Sequence, residues 1–406
     1  MHNLTKIKIF RIALWITYPL ALLLLYPMAV LRKRNPSGLF FLFDRYSIGG
    51  AQRIHLDILH SIPDIPKQVW FTRKSPNDKL KASFYSVPGT DNHDIHGVCD
   101  WLLFRLFSVH YFSFYINLHK KAHVLSSNST FFYDMLPFLA KRVIKTELLH
   151  NFSFGKKGME FFGLANHRLL TYRIVYDSFT LSNIRKQYAE YNVPTSFLDR
   201  LLFIEPGVDF QEMPLKSFDL PVKILYAGRG GPQKRVWLLN SIAEAAISAK
   251  LPVQFQFAGP MADELSELVK QHSIIHGEVS EKAKMDSIYA ACHVIMLTSA
   301  YEGFPMVIKE GMINGCIPLV TALEGNLMHL RNLENALLIN AIEDENAVVR
   351  QGIDQIKWLV DNQHSIPAFS KRAYDYAAIT FDKKKFQAVY RSFLLDNDAS
   401  GGRLTR

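Results

Sequence analysis

From residue 37 onward, short apolar runs alternate with apolar positions at helical spacing, and small or polar residues separate the two. GLFFLF (38–43) is followed by the glycine pair of SIGGAQR (47–53), then by Ile54, Ile58 and Leu59 on one helical face. That sequence of signals predicts strand, glycine loop and helix, the opening of an α/β domain. VWF (69–71), HVLS (123–126) and VIKTELL (143–149) predict further strands, and FTLSNIRKQY (179–188) a strand-to-helix step. LLFIEPGVDF (201–210) ends in a turn at Pro206-Gly207. Beyond residue 222 the alternation becomes regular. KILYAG, VQFQFAG, IIHG, HVIMLTS and IPLVT are each separated from the next by a helical stretch such as WLLNSIAEAAISA or MVIKEGMIN. Strands alternating with helices imply a parallel, doubly wound sheet.

A chain of 406 residues exceeds what one core usually supports, so two α/β domains are expected. The boundaries read as a membrane-attachment segment at 1–35, an N-terminal Rossmann-like domain at 36–205 and a C-terminal one at 206–380. A helix at 381–396 is expected to return to the N-terminal domain, ahead of a polar tail at 397–406. The aromatic stretch WLLFRLFSVHYFSFYINLH (101–119) is apolar nearly all round. It reads as a buried helix, with a second membrane-facing surface as the alternative.

The segment before residue 36 follows a different rule. Twenty uncharged residues, IALWITYPLALLLLYPMAVL, run between Arg11 and Arg32. As a helix they would be roughly 30 Å long, about the thickness of a bilayer's hydrocarbon core. Trp15, Tyr18 and Tyr26 are aromatics of the kind that settle near headgroups. A cleaved signal peptide is disfavoured because the run ends in Arg-Lys-Arg with no small-residue cleavage site. A straight transmembrane helix and a kinked, re-entrant or in-plane helix both stay open, since Pro19 and Pro27 each remove a backbone donor. The net charge of +10 belongs largely here: Lys6, Lys8, Arg11, Arg32, Lys33 and Arg34 are six of the ten surplus cations, with no acid before residue 35. The rest of the chain carries only +4 and shows no basic-aromatic stripe, which argues against nucleic acid as a partner. Three scattered cysteines build no disulfide framework and suit a reducing compartment.

In open parallel sheets, ligands bind at the carboxyl ends of the strands. AGRGGPQKR (227–235) follows the KILY strand and sets Arg229 and Lys234 among glycines ahead of a helix, a combination suited to a diphosphate. Its plainer reading is a turn. TSAYEGFPMVIKEGM (298–312) places Glu302 just before a helix, Pro305 in its first turn and Glu310 in its second. These carboxylates could accept bonds from sugar hydroxyls while the N–H groups near Gly303 and Phe304 face a phosphate. The plainer reading is two solvated glutamates. HGEVS (276–280) is a plausible rim for a nucleotide base. Asp91, His93, Asp94 and His96 in DNHDIHG lack a known ligand geometry, and a solvated loop is expected there in place of a metal site.

Together these segments resemble glycosyltransferase family 4, the large group of retaining, nucleotide-sugar-dependent enzymes with the GT-B fold. Glu302 and Glu310 within YEGFPMVIKEGM look like that family's donor-site signature. AGRGGPQK resembles its Gly-Arg…Lys loop, IEPGVD its linker turn and SIGGAQR its N-terminal glycine loop. The resemblance covers roughly 37–395 and is loosest over 70–145. It implies two Rossmann-like domains facing a cleft. It implies that Arg229, Lys234 and Gly228 lie against the donor diphosphate, that Glu310 holds the ribose hydroxyls, and that Glu302, Gly303 and Phe304 lie at the transferred sugar. Gly49 and Gly50 would approach the phosphates from the facing domain, and His150, in TELLHNFSFG, would reach the reacting centre. No cofactor beyond a UDP- or GDP-sugar co-substrate and no metal are implied, because cationic side chains replace it. Glu205 before the linker turn and Gly231-Pro232-Gln233 in the phosphate loop depart from the family's pattern. The function expected is transfer of a sugar to a lipid-linked or polysaccharide-precursor acceptor, by a membrane-associated enzyme with its domains on the cytoplasmic side. The alternatives are a nucleotide-sugar epimerase or hydrolase, or a degenerate scaffold of the same fold.

Overall fold

The computed structural model describes residues 3–32, 36–47, 49–153 and 158–396. Lys33, Arg34 and the tail 397–406 lie outside the described residues, as does the side chain of Lys6. Two compact units result. One comprises 1–176, 180–205 and 386–406, and the other Asp177–Phe179 with Pro206–Lys385.

The first unit is built on seven parallel strands, β1 (Leu39–Phe43), β2 (Lys67–Phe71), β3 (Thr90–Asp94), β4 (His123–Ser127), β5 (Ile144–Leu149), β6 (Tyr172–Val175) and β7 (Leu201–Phe203), in the order 3-2-1-4-5-6-7. β1 pairs with β2 through Phe41↔Val69 and with β4 through Phe41↔Leu125, so the strand order reverses at β1. A parallel sheet covered on both faces needs apolar residues on both, which is why β1 reads LFFLF without alternation. One face packs Phe41, Phe43, Val69 and Phe71 beneath Phe386, Tyr390 and Phe393 of the last helix, Lys383–Asp396. The other carries Phe40, Leu42 and Trp70 beneath the aromatic helix Leu102–Asn117 and the N-terminal helix.

β3 corrects the reading of DNHDIHG as a loop. Thr90–Asp94 is the sheet's edge strand, paired only with β2, through Gln68↔Asp91 and Trp70↔His93. An edge strand keeps one side in water, so an all-polar sequence is tolerated there. Two further strands, β6 and the β13 named below, carry no signal among those read from the sequence. FTLSNIRKQY holds no strand of its own: its helix starts at Ser178, after β6 has ended at Val175.

The N-terminal helix, Asn3–Leu31, continues through both Pro19 and Pro27. Its stretch Ile7–Leu31 is long and apolar enough to cross a membrane. The helix Leu102–Asn117 is mostly buried from Ser108 onward, in line with the buried-helix reading, whereas Trp101, Leu102, Leu103 and Phe104 are 61–73% exposed.

The second unit holds six parallel strands, β8 (Val222–Ala227), β9 (Val253–Ala258), β10 (Ile274–Gly277), β11 (Val294–Leu297), β12 (Ile317–Thr321) and β13 (Leu337–Ile339), in the order 10-9-8-11-12-13. The order reverses between β8 and β11. The turn at Pro206-Gly207 lies against the chain leading into the last helix: Val208 N–H donates to Phe381 O at 2.8 Å, and a Cβ on Gly207 would sit 2.4 Å from the Lys383 nitrogen. Close backbone approach is what demands glycine there.

Candidate functional site

Between β8 and β11 the loops of the second unit part in opposite directions, which opens a crevice at the strands' carboxyl ends. The β8 loop opens with Gly228, whose N–H donates to Ala258 O at 2.9 Å and whose φ of +155° favours glycine. Gly231 follows at φ +112°, and Arg235 in left-handed conformation caps the helix Val236–Ser248. Arg235 is buried. Its guanidinium donates to the carbonyls of Thr298 at 2.8 Å, Ser299 at 3.0 Å and Ile342 at 2.5 Å, tying the β8 loop to the end of β11. Gln233 adds to that tie, its amide donating to Tyr301 O at 3.1 Å while its carbonyl accepts from Ala300 N–H at 2.8 Å. The unusual Gly-Pro-Gln filling is thus part of the scaffold.

With the loops fixed, Lys234 and Glu302 meet. Their Nζ and Oε1 lie 2.5 Å apart, with side chains only 14% and 12% exposed. Arg229 is exposed, and its carbonyl accepts from the Tyr226 hydroxyl at 2.6 Å. Burial, with Glu302 and Glu264 nearby, pushes the Tyr226 phenol well up, so it stays a neutral donor. Pro305 is the residue that caps the helix Met306–Ile313, one position ahead of the first-turn placement read from sequence, and Glu310 lies in the second turn as expected. The half-buried Glu310 accepts from Tyr289 at 2.9 Å. Tyr289 is 1% exposed, on the helix Lys282–Ala291, and sequence reading passed over it. Gly303 presses on Asp177, and its carbonyl would lie 1.6 Å from a Cβ on Gly325. The Phe304 ring is 6% exposed and turned into the core against His329 and Phe381, so only its backbone can serve a ligand. His276 of the HGEVS segment bonds Gln256 at 2.8 Å.

Arg229, Lys234, Gly228, Glu302, Gly303, Phe304 and Glu310 thus belong to two adjoining loops and one helix of the second unit. Gly49, Gly50 and His150 belong to the first. Gly49 caps the helix Gly50–His60 after β1, and Gly50 is exposed with no atom within 4 Å of the place a Cβ would take. His150 follows β5 and pairs with His55 of that helix, their Nε2 atoms 2.8 Å apart. His55 also stacks on Phe43 at 4.0 Å and 3°. His150 Nδ1 lies 3.1 Å from the Tyr176 hydroxyl, and His55 Nδ1 has no partner among the described residues. A buried lone acceptor costs less than a buried lone N–H, which assigns the shared proton to His55 Nε2 and leaves His150 donating through Nδ1. Both nitrogens of His150 are therefore engaged within its own unit.

Burial keeps both imidazoles neutral, pushing His150 down to about 3 and His55 well below its ordinary value. Unfolded imidazoles titrate near 6.5, so their contribution to stability is complete above that pH and is lost progressively as pH falls below it, for His150 down to about 3. Melting temperature is expected to drop between pH 7 and pH 5, each imidazole contributing up to about 1.4 kcal/mol per pH unit. His55→Phe should flatten that dependence in thermal melts. An unchanged slope would mean that other groups set it.

A cavity of about 470 Å³ lies away from these residues, between the β2–β3 edge and the aromatic helix, lined by Gln68, Trp70, His93, Tyr111 and Phe112 among others.

Residues 221–357 match the family described as glycosyl transferases group 1. No curated protein matches the sequence significantly. Among solved structures, the chain is similar to TarM, with 14% identity, a TM-score of 0.68 and coverage of 88% of this chain and 98% of that one. It is similar to HepE of Anabaena in complex with UDP and glucose, at 15% identity, TM-score 0.68 and coverage of 88% and 99%. The lipopolysaccharide outer core galactosyltransferase WaaB in its apo form matches at 18% identity, TM-score 0.61 and coverage of 87% and 98%. At such identities the likeness establishes the fold: GT-B, two Rossmann-like α/β domains, with an apolar helix at the amino end.

Proposed function

We propose that this chain is a membrane-associated, retaining glycosyltransferase that moves a sugar from a nucleotide-sugar donor to a lipid-linked or polysaccharide-precursor acceptor. The observation that carries the reading is the Lys234–Glu302 pair, held at the β8/β11 switch point inside the segment that matches glycosyl transferases group 1. A cation, a glycine-rich loop ahead of a helix and two carboxylates at such a point suit a diphosphate flanked by hydroxyl-rich groups.

In this reading Arg229 and Lys234 bind the diphosphate, and the backbone of Gly228, Gly303 and Phe304 approaches it. Glu310, steadied by Tyr289, accepts from the ribose hydroxyls, and Glu302 from the transferred sugar. The bond from the anomeric carbon to the diphosphate breaks with its electron pair leaving on phosphate, and the charge that develops falls to Lys234 and Arg229. The acceptor oxygen then bonds that carbon on the same face and gives its proton to the departing phosphate. Because the two cations balance the phosphate charge, the reading requires no metal. UDP, the nucleotide bound in the HepE structure, is the favoured base, with GDP next. The apolar amino-terminal helix attaches the enzyme to the cytoplasmic leaflet, where a lipid-linked acceptor is confined.

The test is a panel of UDP-, GDP- and ADP-sugars against detergent-solubilised protein, read first by thermal shift and then by transfer to a polyprenyl-linked acceptor. One donor should stabilise the wild type, and Glu310→Ala and Arg229→Ala should remove both the shift and the transfer. No stabilisation of the folded protein by any donor, or undiminished transfer by both variants, overturns the reading. Proton NMR of the product reports whether the anomeric configuration is retained.

A further inference from the structure

The amino-terminal helix has two unlike sides. Leu14, Ala21 and Ala29 are fully buried against the first unit. Polar contacts fix that side along its length: Arg11 donates to Asn166 at 2.6 Å, Thr17 lies 3.1 Å from His110 Nε2, and Arg32 reaches Tyr111 at 3.4 Å. Trp15 and Tyr18 pack on Phe138, and Tyr26 on Phe114. On the opposite side Ile9, Ile12, Ile16, Leu20, Leu23 and Leu31 are 50–86% exposed. Their three- and four-residue steps place most of them on one stripe of the helix. That stripe contains no polar residue.

A crossing helix would draw its partners into the bilayer with it. Those partners belong to the unit built on the seven-stranded sheet, whose open edge at β3 and whose connecting turns would then need hydrogen-bond partners that hydrocarbon does not supply. The docked side therefore excludes a crossing. Beside the amino end of the helix, where the Arg105 guanidinium stacks over Phe10, the exposed quartet Trp101–Phe104 adds a second apolar element. Lys8 is exposed near the amino end of the stripe and Arg32 near its carboxyl end, and the sequence has no acid before residue 35. An all-apolar stripe with cationic ends matches a bilayer rich in anionic headgroups better than it matches a protein partner.

We propose that the helix Asn3–Leu31 lies in the plane of one leaflet, docked on the first unit by one side, and that Trp101–Phe104 inserts beside it as a second anchor. This rests on the membrane attachment proposed above, though not on the chemistry. It makes the enzyme monotopic, with both ends of the helix on the same side of the bilayer.

Fluorophore depth separates the geometries. Cys99, Cys292 and Cys316 are buried, so single Ile12→Cys, Leu20→Cys, Leu31→Cys and Leu103→Cys variants of the full chain can be labelled selectively with an NBD maleimide. On vesicles of phosphatidylcholine and phosphatidylglycerol, quenching by nitroxide lipids should report one shallow depth at all four positions. A spanning helix would give shallow labels at Ile12 and Leu31 with Leu20 near the midplane, and that profile overturns the proposal. Leu102→Ser/Leu103→Ser/Phe104→Ser should lower vesicle partitioning at least tenfold with an unchanged melting temperature; unaltered partitioning removes the second anchor. Absence of flotation with vesicles overturns the attachment itself, and donor-induced thermal shift in detergent would then still stand as a separate result.

Discussion

Lys234→Ala is expected to lower sugar transfer by about two to three orders of magnitude, the typical cost of removing one donor aimed at developing negative charge. The size follows from where the cation sits. Lys234 is held by Glu302 at 2.5 Å, and the loop carrying it is tied to the end of β11 through Arg235 and Gln233. A charge fixed in place before the reaction needs no rearrangement as the leaving group departs. Part of any loss could arise from Glu302 left alone in a mostly buried position, and a second variant separates the two causes. Lys234→Met/Glu302→Gln removes both charges with little change of shape. If the pair were only structural, the double variant would regain both melting temperature and kcat; if Lys234 faces the diphosphate, it should regain melting temperature alone. Steady-state kinetics with the stabilising donor, beside thermal melts, decide the matter.

The largest effect on stability is expected in the other unit. Arg173 of β6 and Glu147 of β5 are 1% and 2% exposed and form an ion pair through Arg173 Nε and Glu147 Oε2. Tyr133 donates to the second carboxylate oxygen, and Arg173 Nη1 donates to Tyr188 at 3.0 Å. Burial, with Glu147 beside it, holds the Tyr133 phenol far above its ordinary range, so it remains a donor at any working pH. Removing one member of such a pair leaves a buried charge without compensation, a cost of about 3–5 kcal/mol. Arg173→Ala should therefore lower the melting temperature by roughly 10 °C, given ~2–4 °C per kcal/mol in domains of this size. Arg173→Met/Glu147→Leu, which removes both charges, should recover most of the loss. If both variants melt alike, the pair carries no such penalty.

Strands whose residues are apolar on both faces could be read directly: β1, β11 and β12 are buried along their whole length, and burial left little room for polar residues. β3 was missed because an edge strand with the sequence TDNHD carries no apolar signal. β6, YRIV, hides a charged residue that is buried only because Glu147 lies on the neighbouring strand. The same divide holds at the site. The loops with Arg229, Lys234, Glu302 and Glu310 were legible because strand ends and helix starts fix their place in a parallel sheet. Their pairings were not. Glu310 with Tyr289, His150 with His55 and Lys234 with Glu302 join residues 21, 95 and 68 positions apart, and only the folded register brings them together.

The last helix also bears on the order in which the protein can assemble. Phe386, Tyr390 and Phe393 belong to the core that covers one face of the first sheet. On a ribosome, that sheet is synthesised before the second unit and these residues after it. The second unit, almost continuous from Pro206 to Lys385, has all but three of its residues in one stretch and is complete before the first one is. Domains of a nascent chain generally fold as units, earliest first. Here the chain's order of synthesis and its order of closure are reversed, and the first unit must wait, with that face of its sheet covered only in part by the helix Gly50–His60, until the helix Lys383–Asp396 has followed the second unit.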